Sequence, residues 1–294
     1  MYEKHYGFKV KPFNLTPDSD FFFASSKHEE ALNRLLVSIS ERNGFAVITG
    51  EIGSGKTTVC RTLINKLDPM TKVALILNTH LGKKELLTSI LEDLGIEYRS
   101  TSKTHLLSAL NKYLIEQTAK DINVVLLIDE AQNLTPSVLE EVRMLSNLET
   151  EKEKLIQIIL MGQPELRKKL SHPRLEQFSQ RIVFYYHLEP LDKYETGNYI
   201  EHRIKKAGYE KTDPSKMNLF SFDAISEIYS YSRGIPRLIS LACHHALING
   251  LINGAEQITG AIAREAIQEL MHGTFAAQRK AQSVIDQLGL NSSV

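Results

Sequence analysis

From Lys27 to Arg42 the apolar positions Ala31, Leu32, Leu35, Leu36 and Ile39 recur at helical spacing, which predicts an amphipathic helix closed by Asn43-Gly44. The pattern then alternates. Continuous apolar runs at Phe45 to Thr49, Val73 to Leu77, Val124 to Ile128 and Leu155 to Met161 read as strands. Between them, amphipathic stretches at Lys56 to Leu67, Lys84 to Leu94, Thr104 to Thr118 and Pro136 to Asn147 read as helices. Strands that are apolar throughout and separated by helices imply a parallel sheet covered on both faces, with Ile182 to His187 as its last strand. After Pro190 only helices follow, at Tyr194 to Lys206, Asp223 to Ser232, Pro236 to Ile252 and Thr259 to His272. Asp192 with Glu195 predicts a capping box at the first of these. The chain therefore reads as an α/β parallel-sheet core at 27–190 and a small all-α domain at 191–272. An aromatic segment at 1–26, punctuated by Pro12, Pro17 and Asp18, is expected as an extended arm, and 273–294 as a tail that is a weak helix or a docking peptide.

Composition narrows the class. With 294 residues, 42% hydrophobic and 24% charged, the chain has the make-up of a globular protein and is long enough for a large core. Lys+Arg and Asp+Glu both number 35, so no global positive field attracts nucleic acid or an anionic membrane, and such binding requires a local patch. Cys60 and Cys243 are far apart and outside any CxxC spacing, which excludes a disulfide scaffold and a cysteine-ligated zinc and fits a reducing cytosol. No apolar run approaches the roughly 20 residues of a membrane span, and the opening MYEKHYGFKV has no signal-peptide apolar region. The expectation is a cytoplasmic protein with no direct membrane insertion.

The chemistry is concentrated at strand ends. Gly50, Glu51, Ile52, Gly53, Ser54, Gly55, Lys56 and Thr57 match GxxxxGK[ST] directly after one strand and directly before a helix, the context a phosphate-binding loop requires. Glycines let backbone N–H groups converge on phosphate oxygens, and the helix N-terminus adds its dipole; Thr58 continues that first turn. Lys56 supplies a point charge for β- and γ-phosphates and the Thr57 hydroxyl suits Mg²⁺. Val124 to Glu130 has the form of a Walker B strand, with Asp129 expected to hold the metal and Glu130 to orient and deprotonate the attacking water. Asn78 follows a neighbouring strand and is a candidate to restrain Glu130, with a plain turn residue as the equal alternative. Gln163 is a candidate for contact with the γ-phosphate or the water, again against a turn role. Arg181, just before the last strand, is placed to serve a neighbour's nucleotide rather than its own. Arg237 opens a helix in Gly234-Ile235-Pro236-Arg237, where the macrodipole disfavours a cation that lacks an anionic partner.

The order GEIGSGKT, LLIDEAQNL, GQPEL, QRI and GIPR, together with HYGFKVKPFNLTPDSDFFFASSKHEEAL, SNLETEKEKLIQIILMGQPEL and HRIKKAG, resembles the AAA+ ATPases of the ExeA type, the general secretion pathway protein A group with its pilus relative MshM. The resemblance covers nearly the whole chain. It implies a P-loop core with a helical lid, ATP and Mg²⁺ as ligands, homo-oligomers with nucleotide at the subunit boundary, and service to secretion or type IV pilus machinery at the inner membrane through a partner. It also gives Gln163 the sensor-1 position, Arg181 the finger and Arg237 the sensor-2 role, although Gln departs from the Asn or Thr usual at sensor 1. The secretion member continues into a transmembrane helix and a peptidoglycan-binding domain, so this chain is expected to be nearer the shorter pilus-associated form. His28 and Phe13 are candidates to border the adenine, with packing against the core as the equal alternative. A second reading is a DNA-stimulated ATPase of the TnsC or TniB kind, motivated by the basic cluster Arg167, Lys168, Lys169 and Arg174. That cluster is flanked by Glu165 and Glu176, as a solvated helix face would be, and DNA is the less favoured partner.

Overall fold

The structure, a computed structural model, describes residues 2–14, 19–150, 153–209 and 218–272. The tail at 273–294 lies outside the described residues. In chain order the elements are α1 (Tyr2–Tyr6), α2 (Ser26–Ser40), β1 (Phe45–Gly50), α3 (Lys56–Lys66), β2 (Lys72–Ile76), α4 (Lys83–Asp93), α5 (Lys103–Thr118) and β3 (Val124–Ile128). They continue with α6 (Pro136–Leu145), β4 (Gln157–Gly162), α7 (Pro164–Leu170), α8 (Glu176–Ser179), β5 (Ile182–Leu188), α9 (Lys193–Lys206), α10 (Phe222–Ser232) and α11 (Pro236–Ile252). Residues 260–272 are also helical. The described residues form two compact units, one of residues 24–189 and one that joins the residues up to 23 with those from 190 on.

The first unit is built on a sheet of order β2-β3-β4-β1-β5, parallel at every pairing. The three inner strands β1, β3 and β4 are buried at every position, which is why their sequences run apolar without alternation. Phe45, Val47, Leu126, Ile128, Ile158 and Leu160 face the leucines of α4, α5 and α6 in one continuous core. Alternate strand residues, Ala46, Ile48, Leu127 and Ile159, are equally buried, as are Leu32, Leu35, Val59 and Leu63 of α2 and α3. Removing one such leucine to alanine costs about 2–5 kcal/mol in cores of this kind. At the sheet margin, the Asp93 carboxylate accepts the outward Leu75 N–H of β2 at 2.6 Å, which blocks an edge that would otherwise template another strand.

In the second unit the opening residues are not an extended arm. Tyr2 to Tyr6 form a helical turn closed at Gly7, whose φ of +77° suits glycine and lets Phe8 N–H reach the Glu3 carbonyl at 2.8 Å. Tyr2, Tyr6, Phe8 and Phe13 are buried in one core with Tyr199, Ile204, Phe220 and Ala246. The buried Arg203 guanidinium fastens the segment by donating to the Pro12 carbonyl at 2.6 Å and the Asn14 carbonyl at 3.3 Å. Burial of so many rings is the reason for the difference: an extended arm would leave them in water. At the other end of this unit Gly234, φ +78°, accepts the Leu191 N–H, and a Cβ there would lie 1.8 Å from the Leu191 oxygen.

Candidate nucleotide site

All five strands run the same way, so residues that follow β1, β2, β3 and β4 gather at one edge of the sheet. The loop after β1 curls through two left-handed glycines, Gly53 at φ +80° and Gly55 at φ +100°. Gly50 lies so close to Ser54 Oγ and the Leu188 carbonyl that a Cβ would meet them at 2.7 and 2.9 Å. Gly55 is the N-cap of α3, which has neither a side-chain cap nor an acidic residue in its first turn. The first backbone donors of α3 and its positive dipole end are left to an anion. Glu51 and Ile52 are exposed on the loop, and Thr57 and Thr58 are half-buried on the first turn.

Lys56 is 5% exposed, and its ammonium donates to the Gly50 carbonyl at 2.8 Å and the Glu51 carbonyl at 2.9 Å. Burial holds its pKa below the usual lysine value, while Glu130, Asp129, Glu51 and Glu165 pull the other way. Thr57 Oγ1 donates to Asp129 Oδ2 at 2.9 Å, joining the ends of β1 and β3. Asp129 Oδ1 accepts the Glu130 N–H at 2.9 Å.

Glu130 sits at φ +51°, a left-handed conformation that costs a residue with a side chain about 1–3 kcal/mol. Its backbone is held there from two sides: its carbonyl accepts from Asn133 N–H at 3.0 Å and from Thr79 Oγ1 at 3.1 Å. Its carboxylate oxygen Oε2 accepts from Gln132 Nε2 at 2.5 Å and from Gln163 Nε2 at 3.2 Å. Gln163 is therefore brought to Glu130. Asn78 is not: it is exposed and its Oδ1 accepts the His80 N–H at 3.2 Å in a local turn. The next residue, Thr79, 2% exposed, is the one that reaches Glu130.

Gln132, Thr79 and His28 complete the site beyond the motif residues. His28 is 4% exposed beneath the loop; its Nε2 pairs with the Ser54 carbonyl at 2.9 Å and its Nδ1 with Ser25 Oγ at 2.6 Å. Phe13, expected beside it, packs instead in the second unit's core against Phe220. Position two after a strand-end carboxylate is the available signal for Gln132, since a side chain there falls back on the carboxylate.

Arg181 precedes β5 and so lies at the opposite edge of the sheet from the loop, roughly 17 Å away by strand rise. It is half-buried and donates to Ser146 Oγ at 2.8 Å. Arg237 is exposed on the first turn of α11 in the helical unit. Of the basic cluster, Lys169 is spent internally on the Gln132 and Leu134 carbonyls at 2.5 and 2.7 Å, and Arg167 lies over the Tyr185 ring.

These residues fit a nucleoside triphosphate with Mg²⁺: an uncapped helix N-terminus, a glycine cradle and a buried ammonium for phosphate, and paired hydroxyl and carboxylate oxygens for a hard cation. Among the described residues no group of three or more His, Cys, Asp or Glu could hold a metal alone. A magnesium ion here would share its shell with phosphate, as it does where one carboxylate serves it.

Residues 39–170 match the AAA domain family. General secretion pathway protein A of Aeromonas hydrophila is 38% identical over 259 residues, which are 88% of this chain and 46% of that protein. The chain thus spans about half the length of that relative. Among solved structures, Cdc6p from Pyrobaculum aerophilum superposes with a TM-score of 0.65 at 22% identity, covering 86% of this chain and 70% of that one. The Thermotoga maritima RuvB Holliday junction branch migration motor gives 0.57 at 17% identity over 87% and 74% of the two chains. A Walker-type ATPase of Pyrococcus abyssi gives 0.60 at 17% identity over 92% and 79%. At these identities the likeness of the solved structures is one of fold.

Proposed function

Since the chain belongs to the AAA+ ATPases, in the group of general secretion pathway protein A, we propose that it binds ATP with Mg²⁺ at Gly50 to Thr58 and hydrolyses it through Glu130. One observation carries this reading: Lys56, Thr57, Asp129 and Glu130 converge at the ends of two strands, with Thr57 bonded to Asp129 and Glu130 carrying a tethered carboxylate. The loop and α3 bind and orient phosphate, and Thr57 and Asp129 hold the cation. When bound, Mg²⁺ screens phosphate charge. Glu130 takes the proton from the attacking water, and Lys56 balances charge on the phosphate oxygens.

Arg181, at the far edge of the sheet from its own loop, serves the site of an adjoining copy, so the active form is a homo-oligomer with nucleotide at the subunit boundary. The relative's name supports a partner in a secretion pathway; no helix among the described residues is long and apolar enough to cross a membrane. The basic cluster that motivated DNA binding has Lys169 tied to backbone carbonyls, which leaves Arg167, Lys168 and Arg174 as its exposed cations.

The test is a pair of variants assayed with labelled ATP and Mg²⁺. Lys56→Ala abolishes nucleotide retention; Glu130→Gln keeps retention and lowers turnover by about 10²–10⁴. Unchanged turnover in Glu130→Gln would remove Glu130 as the base, and a wild-type protein that retains no ATP would remove the whole reading.

A further inference from the structure

We propose that Gln132 is a positioning residue for hydrolysis, a two-headed amide that latches the Glu130 carboxylate to the end of β4. The inference rests on the ATPase reading and extends it to a residue that the phosphate loop and the strand-end carboxylates do not include.

Both ends of one side-chain amide are used. Gln132 Nε2 donates to Glu130 Oε2 at 2.5 Å, and Gln132 Oε1 accepts the backbone N–H of Gln163 at 3.0 Å. The link therefore runs from the carboxylate, through the amide, to the first residue after β4. Three further features hold the amide in place. Gln132 lies in the tight turn Ala131–Asn133 that starts at the left-handed Glu130, so its side chain folds back over the preceding carboxylate. Its carbonyl accepts the Lys169 ammonium at 2.5 Å, which ties that turn to α7. At the end of β4 stands Gly162, where a Cβ would come within 2.8 Å of Gln132 Oε1; a side chain at 162 would evict the amide.

The consequence for the carboxylate follows from donor count. Gln132 and Gln163 both donate to the same oxygen, Oε2, so that atom is held by two donors and Oε1 stays outside the tether. A base of this kind must be held within hydrogen-bond reach of the water it deprotonates, and a displacement of about 1 Å costs about 10²-fold in rate. Gln163 is the softer of the two tethers at 3.2 Å and is the one free to leave for a phosphate oxygen; Gln132 then keeps the carboxylate aligned alone.

The experiment compares Gln132→Met, which keeps length without the amide, and Gln132→Glu, which keeps shape and the acceptor for Gln163 N–H but sets a second carboxylate against Glu130. Kd for MgATP, read with a fluorescent ATP analogue, stays within about twofold in both. Single-turnover kcat falls on the order of 10–100-fold in Gln132→Met and further in Gln132→Glu. In a Glu130→Gln background, Gln132→Met lowers the residual rate no further, because its effect passes through Glu130. Unchanged kcat, equal losses with and without Glu130, or a milder effect of the isosteric Gln132→Glu would each overturn the latch while leaving the ATPase reading intact. A wild-type protein that binds MgATP without turning it over would overturn the hydrolysis reading and the latch together.

Discussion

Gly55 and His28 form a steric pair whose coupling can be worked out in advance. Adding a Cβ at Gly55 brings two penalties. The left-handed φ of +100° costs an alanine about 1–2 kcal/mol, and the new methyl would sit 2.8 Å from His28 Nε2. A flexible side chain would swing aside cheaply, but this ring is pinned by the Ser54 carbonyl at 2.9 Å and Ser25 Oγ at 2.6 Å. Moving it breaks at least one buried hydrogen bond, so overpacking adds about 1–3 kcal/mol. Gly55→Ala alone is expected to destabilise the sheet unit by about 2–5 kcal/mol. His28→Ala alone is expected to cost about 2–3 kcal/mol, from the orphaned Ser54 carbonyl and the space left under the loop. In the double variant the clash is gone, so to the cost of losing His28 the methyl adds only its φ penalty, and the sum of the singles overshoots by about 1–3 kcal/mol. Urea unfolding followed by a probe in residues 24–189, alongside Kd for MgATP, reads the cycle. Losses that simply add would refute the claim that the imidazole is the wall against which the loop is built.

The remaining expectations address the other residues. Arg181→Ala subunits mixed with Glu130→Gln subunits recover part of the ATPase rate, because each lesion sits in a different copy's contribution; no recovery at any mixing ratio would count against a shared site. Gly234→Ala, with its Cβ 1.8 Å from the Leu191 oxygen at φ +78°, lowers the stability of the helical unit by about 3 kcal/mol or more, read as lost hydrogen-exchange protection in α11. Lys169→Met strips the Gln132 and Leu134 carbonyls of their donor and lowers ATP turnover at every salt concentration; a loss confined to low salt would point to a solvated charge instead. His202 and His244 both have pKa values lowered from 6.5, His202 by burial and then Lys206 and Arg203, and His244 by burial and then His245 and Lys11. The unfolded chain therefore takes up protons that the folded one refuses, and the helical unit loses stability as pH falls below 6.5, the loss levelling off below the lowered values. A thermal midpoint of α9 to α11 that is flat from pH 7.5 to 5 would refute this.

What could be read from residue order, and what could not, divides along a physical line. β3 and α11 run from Val124 to Ile128 and from Pro236 to Ile252, the ranges expected from pattern, because each is bounded by turn chemistry and buried where it is apolar. The seven-residue α7 and four-residue α8 left no periodic trace; they exist because Leu166, Leu170 and Phe178 are drawn into the sheet's core. The placement of Lys56 and Thr57 at the end of β1 is legible because the loop's spacing sets them against their own backbone. Asn78 and Thr79 show how fine the limit is. β2 ends at Ile76 rather than Leu77, and beyond it Leu77 and Asn78 are both exposed while Thr79 is buried, so a one-residue error along this segment exchanges the exposed Asn78 for the buried Thr79.

Gln132 illustrates the deeper limit. Its partners lie at residues 130 and 163, and the second becomes a neighbour only because the sheet order sets β4 beside β3. The same adjacency explains how Glu130 can remain at φ +51°. Its carbonyl is bound by Thr79 from the β2 side and its carboxylate by Gln163 from the β4 side and by Gln132 of its own turn, so relaxing the backbone would break contacts on both flanks. Bonds worth about 1 kcal/mol each, and more where the acceptor is charged, are enough to offset a strain of about 1–3 kcal/mol. The strained residue is thus held by three strands at once, and its position is a property of the sheet rather than of the motif that announces it.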